Sequence, residues 1–197
     1  MVATVTAMIA MTLPVVVSAA PAHAGVTSQC TGQDKVIIKR VESISKKFVA
    51  THSEAITLAR GTAFKQAETL EHDRTLKAST NVTSEIGGSA SWAFASLSSK
   101  VSMSVAAEGE TTTTKSVTKQ FSIAATNRDR RFVLFTGRYS VSGRWHYLSC
   151  SRAPGHGTEK YGPITSFAGS DTGTVLCPHS LYAKSDYKYS VAIQGGC

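Results

Sequence analysis

The chain has 197 residues, a formal net charge of +8 and four cysteines. That length suggests one domain able to bury a core. Beyond the first two dozen residues no apolar run is long enough for a transmembrane helix. No catalytic signature, cofactor motif or paired metal-ligand spacing stands out, which argues against an enzyme and a metalloprotein.

Met1 to about Ala24 reads as a signal peptide. Val5 to Leu13 and Val15-Val16-Val17 form an apolar core too short to span a bilayer, and Ala22-His23-Ala24 offers small residues for cleavage before Gly25. No Lys or Arg lies between Met1 and Ala24, a departure from the usual basic start. A secreted, extracellular protein of roughly 173 residues is expected. In that setting Cys30, Cys150, Cys177 and Cys197 read as two disulfides with three possible connectivities. Cys30–Cys150 with Cys177–Cys197 is favoured, because it closes the long β region and staples the C-terminal residue. The competing metal reading of Cys177-Pro178-His179 lacks a second ligand pair.

In chain order, Asp34 to Thr51 predicts one long strand or two short ones, and Ile56 to Gly61 another. Phe64 to Lys77 leans strand. The 52 residues from Thr75 to Thr126 include 20 Ser or Thr, a composition suited to a half-wet pleated surface rather than to helices. Val101, Met103 and Val105 alternate with Ser102 and Ser104, and Val117, Phe121 and Ile123 with Thr118, Gln120 and Ser122. Gly87-Gly88 and Glu108-Gly109 bracket Ser89 to Ala107, where Lys100 is the single charge. A hairpin with its tip at Ser98-Ser99-Lys100 would have arms close to a membrane-crossing strand in length.

Thr126 to Arg130 predicts a turn. Arg131 to Gly137 and Arg138 to Ser149 predict strands, and Ala153 to Gly157 a loop and boundary. Short strands follow at Ile164–Phe167, Thr174–Leu176 and Tyr187–Ile193. Residues 124–160 hold seven Lys or Arg against two carboxylates, a local +5. A basic patch of Arg128, Arg130, Arg131, Arg138 and Arg144 could dock on anionic lipid or a surface polymer, and export argues against nucleic acid. His146, His156 and His179 read as structural. Asp171-Thr-Gly173 reads as a turn, and Asn81-Val-Thr83 has the form of a glycosylation sequon.

The order of a Ser/Thr-rich strand, a glycine-bracketed stretch with few charges, the Thr-rich Glu110-Thr-Thr-Thr-Thr-Lys-Ser-Val-Thr-Lys-Gln-Phe-Ser-Ile and then Ala124-Ala-Thr-Asn-Arg-Asp-Arg-Arg-Phe-Val resembles the pore-forming module of aerolysin-like β-pore-forming toxins. Ala124 and Ala125 stand where members often carry Pro. The resemblance spans about residues 35–150. It implies a mainly β fold: an elongated, twisted antiparallel sheet of long strands with an inserted hairpin, plus a small disulfide-linked C-terminal β region. The implied organisation is a sheet domain over 25–152, an insertion hairpin over 89–107 and a Gly/Tyr-rich extension over 153–197. Trp92, Phe94, Leu97, Val101, Met103 and Val105 would meet the membrane, Trp92 at its interface. The chain would bind a target membrane or surface receptor and insert as a homo-oligomer. The alternative function is a non-lytic β-sheet module that docks another secreted protein or a surface glycan.

Overall fold

The computed structural model describes Cys30, residues 37–150 and residues 157–197. The signal-peptide reading of Met1–Ala24 and the loop residue His156 lie outside them.

The fold is mainly β and antiparallel. Strand β1 (Ile37–Leu58) pairs with β5 (Arg130–Cys150), and β5 pairs with β6 (Gly157–Leu176). A two-residue strand β3 (Ser79–Thr80) adds to the β6 edge, giving the order β1-β5-β6-β3. With 21 residues at about 3.3 Å each, β5 runs roughly 70 Å. The segments expected as separate strands are continuous. Bulges at Glu42/Ser45 and Ala50/His52 in β1, and at Gly137/Tyr139 between β5 and β6, absorb the register shifts. Asp171-Thr-Gly173, expected as a turn, lies inside β6 opposite Phe135–Gly137. Beyond the expected boundary, residues 157–176 supply β6, a full strand of the central sheet.

A second sheet is the ribbon of β2 (Phe64–Glu71) and β4 (Ser116–Ile123). Its Leu70 and Phe121 pack on Leu58, Phe132 and Leu134 at one end of the long sheet. His52 ties ribbon to sheet: its Nε2–H donates to the Thr114 carbonyl at 2.7 Å, and its ring meets His72 edge-on.

The insert between β2 and β4 departs from expectation. It holds α1 (Val82–Ile86) and α2 (Ser91–Val101), not a hairpin. Ala90, Ala93, Phe94, Leu97 and Val101 recur at helical spacing, and this stripe meets Val41, Val141, Trp145, Ile164 and Ala168 on the sheet. Lys100 sits favourably in the last turn, and Ser102 in left-handed conformation ends the helix. The period-two alternation of this stretch lost to the wider burial that the helical stripe permits. Beyond α2, Val105 makes one bridge to Ala168.

Tyr187–Ile193 is likewise helical, within α3 (Tyr187–Gln194). Asp186 caps it by accepting the Lys188 N–H at 2.9 Å. Val191 and Ala192 bury against Phe48, Phe135 and Val133. Tyr187 packs 5.0 Å from the Phe48 ring, and burial, with Asp171 and Asp186 nearby, pushes its phenol above the ordinary tyrosine range. The last expected strand is thus a helix, while Ile164–Phe167 and Thr174–Leu176 lie in β6 and Cys177–Cys197 is disulfide-linked as expected.

Trp145 is the centre of the α2 side of the sheet. Its indole N–H donates to Asn81 Oδ1 at 2.8 Å, and the Asn81 amide packs directly on Gly162. A Cβ at Gly162 would collide with that amide. Gly162→Ala is expected to cost about 2 kcal/mol by displacing Asn81 and orphaning the buried indole, read as a lower urea midpoint. The same bond occupies the sequon asparagine.

A candidate docking face on the long sheet

Residues paired across an antiparallel sheet share a face. The register puts Val41, Trp145 and Gly162 on the α2 side. It puts Arg40, His146 and Tyr161 on the other side, with Glu42, Arg144 and Pro163, then Ser45, Ser142 and Thr165, then Lys47 and Ser140; Phe167, opposite Ser140, is itself buried in the core cluster. Along β5 the polar side reads Ser140, Ser142, Arg144, His146, alternating with Tyr139, Val141, Gly143, Trp145.

On this side Arg40, Ser45, Lys47, Arg138, Arg144, Tyr161 and Pro163 are exposed. The Arg144 guanidinium lies 3.7 Å from the Tyr161 ring centre, and Arg138 lies 5.4 Å from that of Phe167. Stacking fixes the plane of the Arg144 guanidinium while sparing its N–H donors. Arg138 spends one donor, a long 3.5 Å contact to the Gly169 carbonyl. Between the two arginines run about 20 Å of strand floored by hydroxyls.

The two carboxylates here are already engaged. Glu42 pairs with Arg40 at 3.4 Å, and Glu159 accepts from His146 Nε2 at 2.7 Å. Since Arg40 Nε donates to His146 Nδ1 at 3.0 Å, the imidazole is the neutral Nε2–H tautomer. Both ring nitrogens are consumed, so His146 is a structural link. His179 is another, bonded to the Cys197 carbonyl at 3.0 Å. Among the described residues Lys47, Arg138 and Arg144 make no ion pair.

The basic patch expected from sequence is divided. Arg138 and Arg144 share the exposed face. Arg128 sits in the β4–β5 turn, Arg130 opposes Leu58, and Arg131 hydrogen-bonds through its carbonyl to Cys177 at the far end. Arg131 and Arg144 are about 40 Å apart along β5. Sequence reasoning missed Arg40, Lys47 and the hydroxyl floor, although the alternation along β5 marks that side.

The residues expected at a membrane are in the interior layer. Phe94 and Leu97 are buried, and Trp92, Val101, Met103 and Val105 pack against the same cluster. Trp92 meets Trp145 edge-on at 6.5 Å beneath Lys39. An open groove of about 470 Å³ runs between α2 and Val105–Glu108. The disulfides join Cys30 to Cys150 and Cys177 to Cys197. They place the working protein in an oxidising compartment. Among the described residues no group of His, Cys, Asp and Glu could hold a metal ion, and no helix is long and apolar enough to cross a membrane. No family model, curated protein or solved structure matches the chain.

Proposed function

We propose that the chain is a secreted, non-lytic and non-enzymatic docking module that attaches to a surface polymer or another secreted protein through the arginine-bearing face of its long sheet. The observation that carries this is the Arg144 guanidinium stacked on exposed Tyr161, with exposed Arg138 held above buried Phe167 on the same strand and both with donors mostly unspent. Such groups are oriented before a partner arrives, so little side-chain entropy is lost on binding.

The competing reading, membrane insertion as a homo-oligomer, draws on the aerolysin-like strand order and the Ser/Thr-rich ribbon. It requires residues 89–107 to leave the sheet, exposing Phe94, Leu97 and the Trp145 layer beneath them.

One experiment separates the two. The labelled mature protein is incubated with cell-surface preparations and with calcein-loaded liposomes. Retention on the surfaces, loss of retention in Arg138→Gln/Arg144→Gln and intact liposomes are expected. Retention indifferent to both arginines overturns the docking reading, and calcein release establishes the pore.

A further inference from the structure

We infer that the exposed face binds an acidic polysaccharide, with Arg138 and Arg144 holding anionic groups on separate sugars of one chain. This rests on the docking reading above and assigns its ligand. Three arguments select it.

Charge comes first. The carboxylates on this side are tied to Arg40 and His146, whereas Lys47, Arg138 and Arg144 are unpaired among the described residues. The face therefore presents three uncompensated cations along one strand direction, which complements a linear polyanion. Geometry comes second. A guanidinium fork matches a carboxylate through two parallel N–H bonds; stacking on Tyr161 holds the Arg144 fork in place, and Arg138 is positioned by its cation–π contact with Phe167 and its bond to the Gly169 carbonyl. Surface chemistry comes third. The floor between the forks is Ser45, Ser140, Ser142 and Thr165. Hydroxyls that donate and accept suit sugar hydroxyls, and Ile38, Tyr161 and Pro163 together are too little exposed apolar area to enter a lipid layer. A protein partner would be expected to meet a larger apolar centre.

The full chain is titrated with polygalacturonate, with its methyl-esterified form and with neutral dextran. Binding of polygalacturonate alone is expected. Arg144→Gln should weaken it roughly tenfold or more, as loss of a paired charge-assisted contact implies. Arg144→Lys should weaken it similarly, because lysine keeps the charge and loses the fork. Arg128→Gln, with the same change in net charge at the other end of the molecule, should leave binding unchanged, and all variants should keep the wild-type unfolding midpoint.

Equal binding of the esterified polymer overturns the proposal, as does equal weakening by Arg128→Gln and Arg144→Gln, which would mark unspecific charge attraction. Absence of polygalacturonate binding overturns the ligand class alone if surface retention still depends on Arg138 and Arg144. If that dependence is also missing, the docking reading falls with it.

Discussion

Leu97→Ala is expected to destabilise the protein by about 3 kcal/mol and to lower its melting temperature by roughly 6–12 °C. Leu97 is fully buried in the α2 stripe, beside Ala93 and Phe94 and facing the Trp145 layer. Alanine removes the branched end of the side chain and leaves a cavity between a helix and a sheet, two rigid surfaces that cannot collapse to fill it. In a surface hairpin, Leu97 would adjoin the Ser98-Ser99 tip, and the same change would move stability by no more than about 0.5 kcal/mol. Thermal unfolding of the variant therefore reads the conformation of residues 89–107 directly. A shift within error would falsify the core-helix assignment and return the segment to a hairpin. Surface retention should be unchanged in the folded variant, since α2 and the arginine face lie on opposite sides of the sheet.

The long strands were legible because their sequences alternate against two different environments. In β5, Tyr139, Val141 and Trp145 point to the helices while Ser140, Ser142 and Arg144 point to solvent. The predicted breaks were not real, because bulges at Ala50/His52 and Gly137/Tyr139 carry the chain through local irregularity without ending pairing. The helices were hidden for two reasons. Ser89–Ala107 satisfies periods of two and of 3.6 together, and tertiary burial of Ala93, Phe94 and Leu97 decides between them. Its serines also depress helix propensity, which packing overrides. For Tyr187–Gln194 the aromatic content suggested a strand, but Asp186 one residue before the run was an available capping signal. The candidate site was half visible. Arg138 and Arg144 were identifiable as basic, while their separation from Arg128, Arg130 and Arg131 is a consequence of strand length. Tyr161 becomes the stacking partner of Arg144 only through the β5–β6 register, which no local pattern encodes.

Cys30→Ser/Cys150→Ser is expected to cost about 5 kcal/mol by the chain-entropy relation for a separation of 120 residues. The corresponding figure for Cys177→Ser/Cys197→Ser, with a separation of 20, is about 3 kcal/mol. The difference follows from loop length, since a longer closed loop removes more freedom from the unfolded chain. Position adds to it. Ile37 pairs with Ser149 at the last described rung of the β1–β5 ladder, and Cys30–Cys150 clamps the chain just beyond that rung. At that end no turn joins the two strands, so the disulfide alone links them covalently there. Its loss should therefore increase fraying of the rungs nearest Cys150, where Arg40, His146 and Arg144 lie. Amide exchange should rise at Ile37–Val41 and Tyr147–Ser149 and stay protected at Phe132–Phe135, which the ribbon and α3 cover. Retention on anionic polymer should weaken in the same variant, because the stacked Arg144 depends on the β5–β6 register holding at that end. Equal denaturation midpoints for the two disulfide variants, or exchange unchanged at Ile37–Val41, would remove the long disulfide from this role.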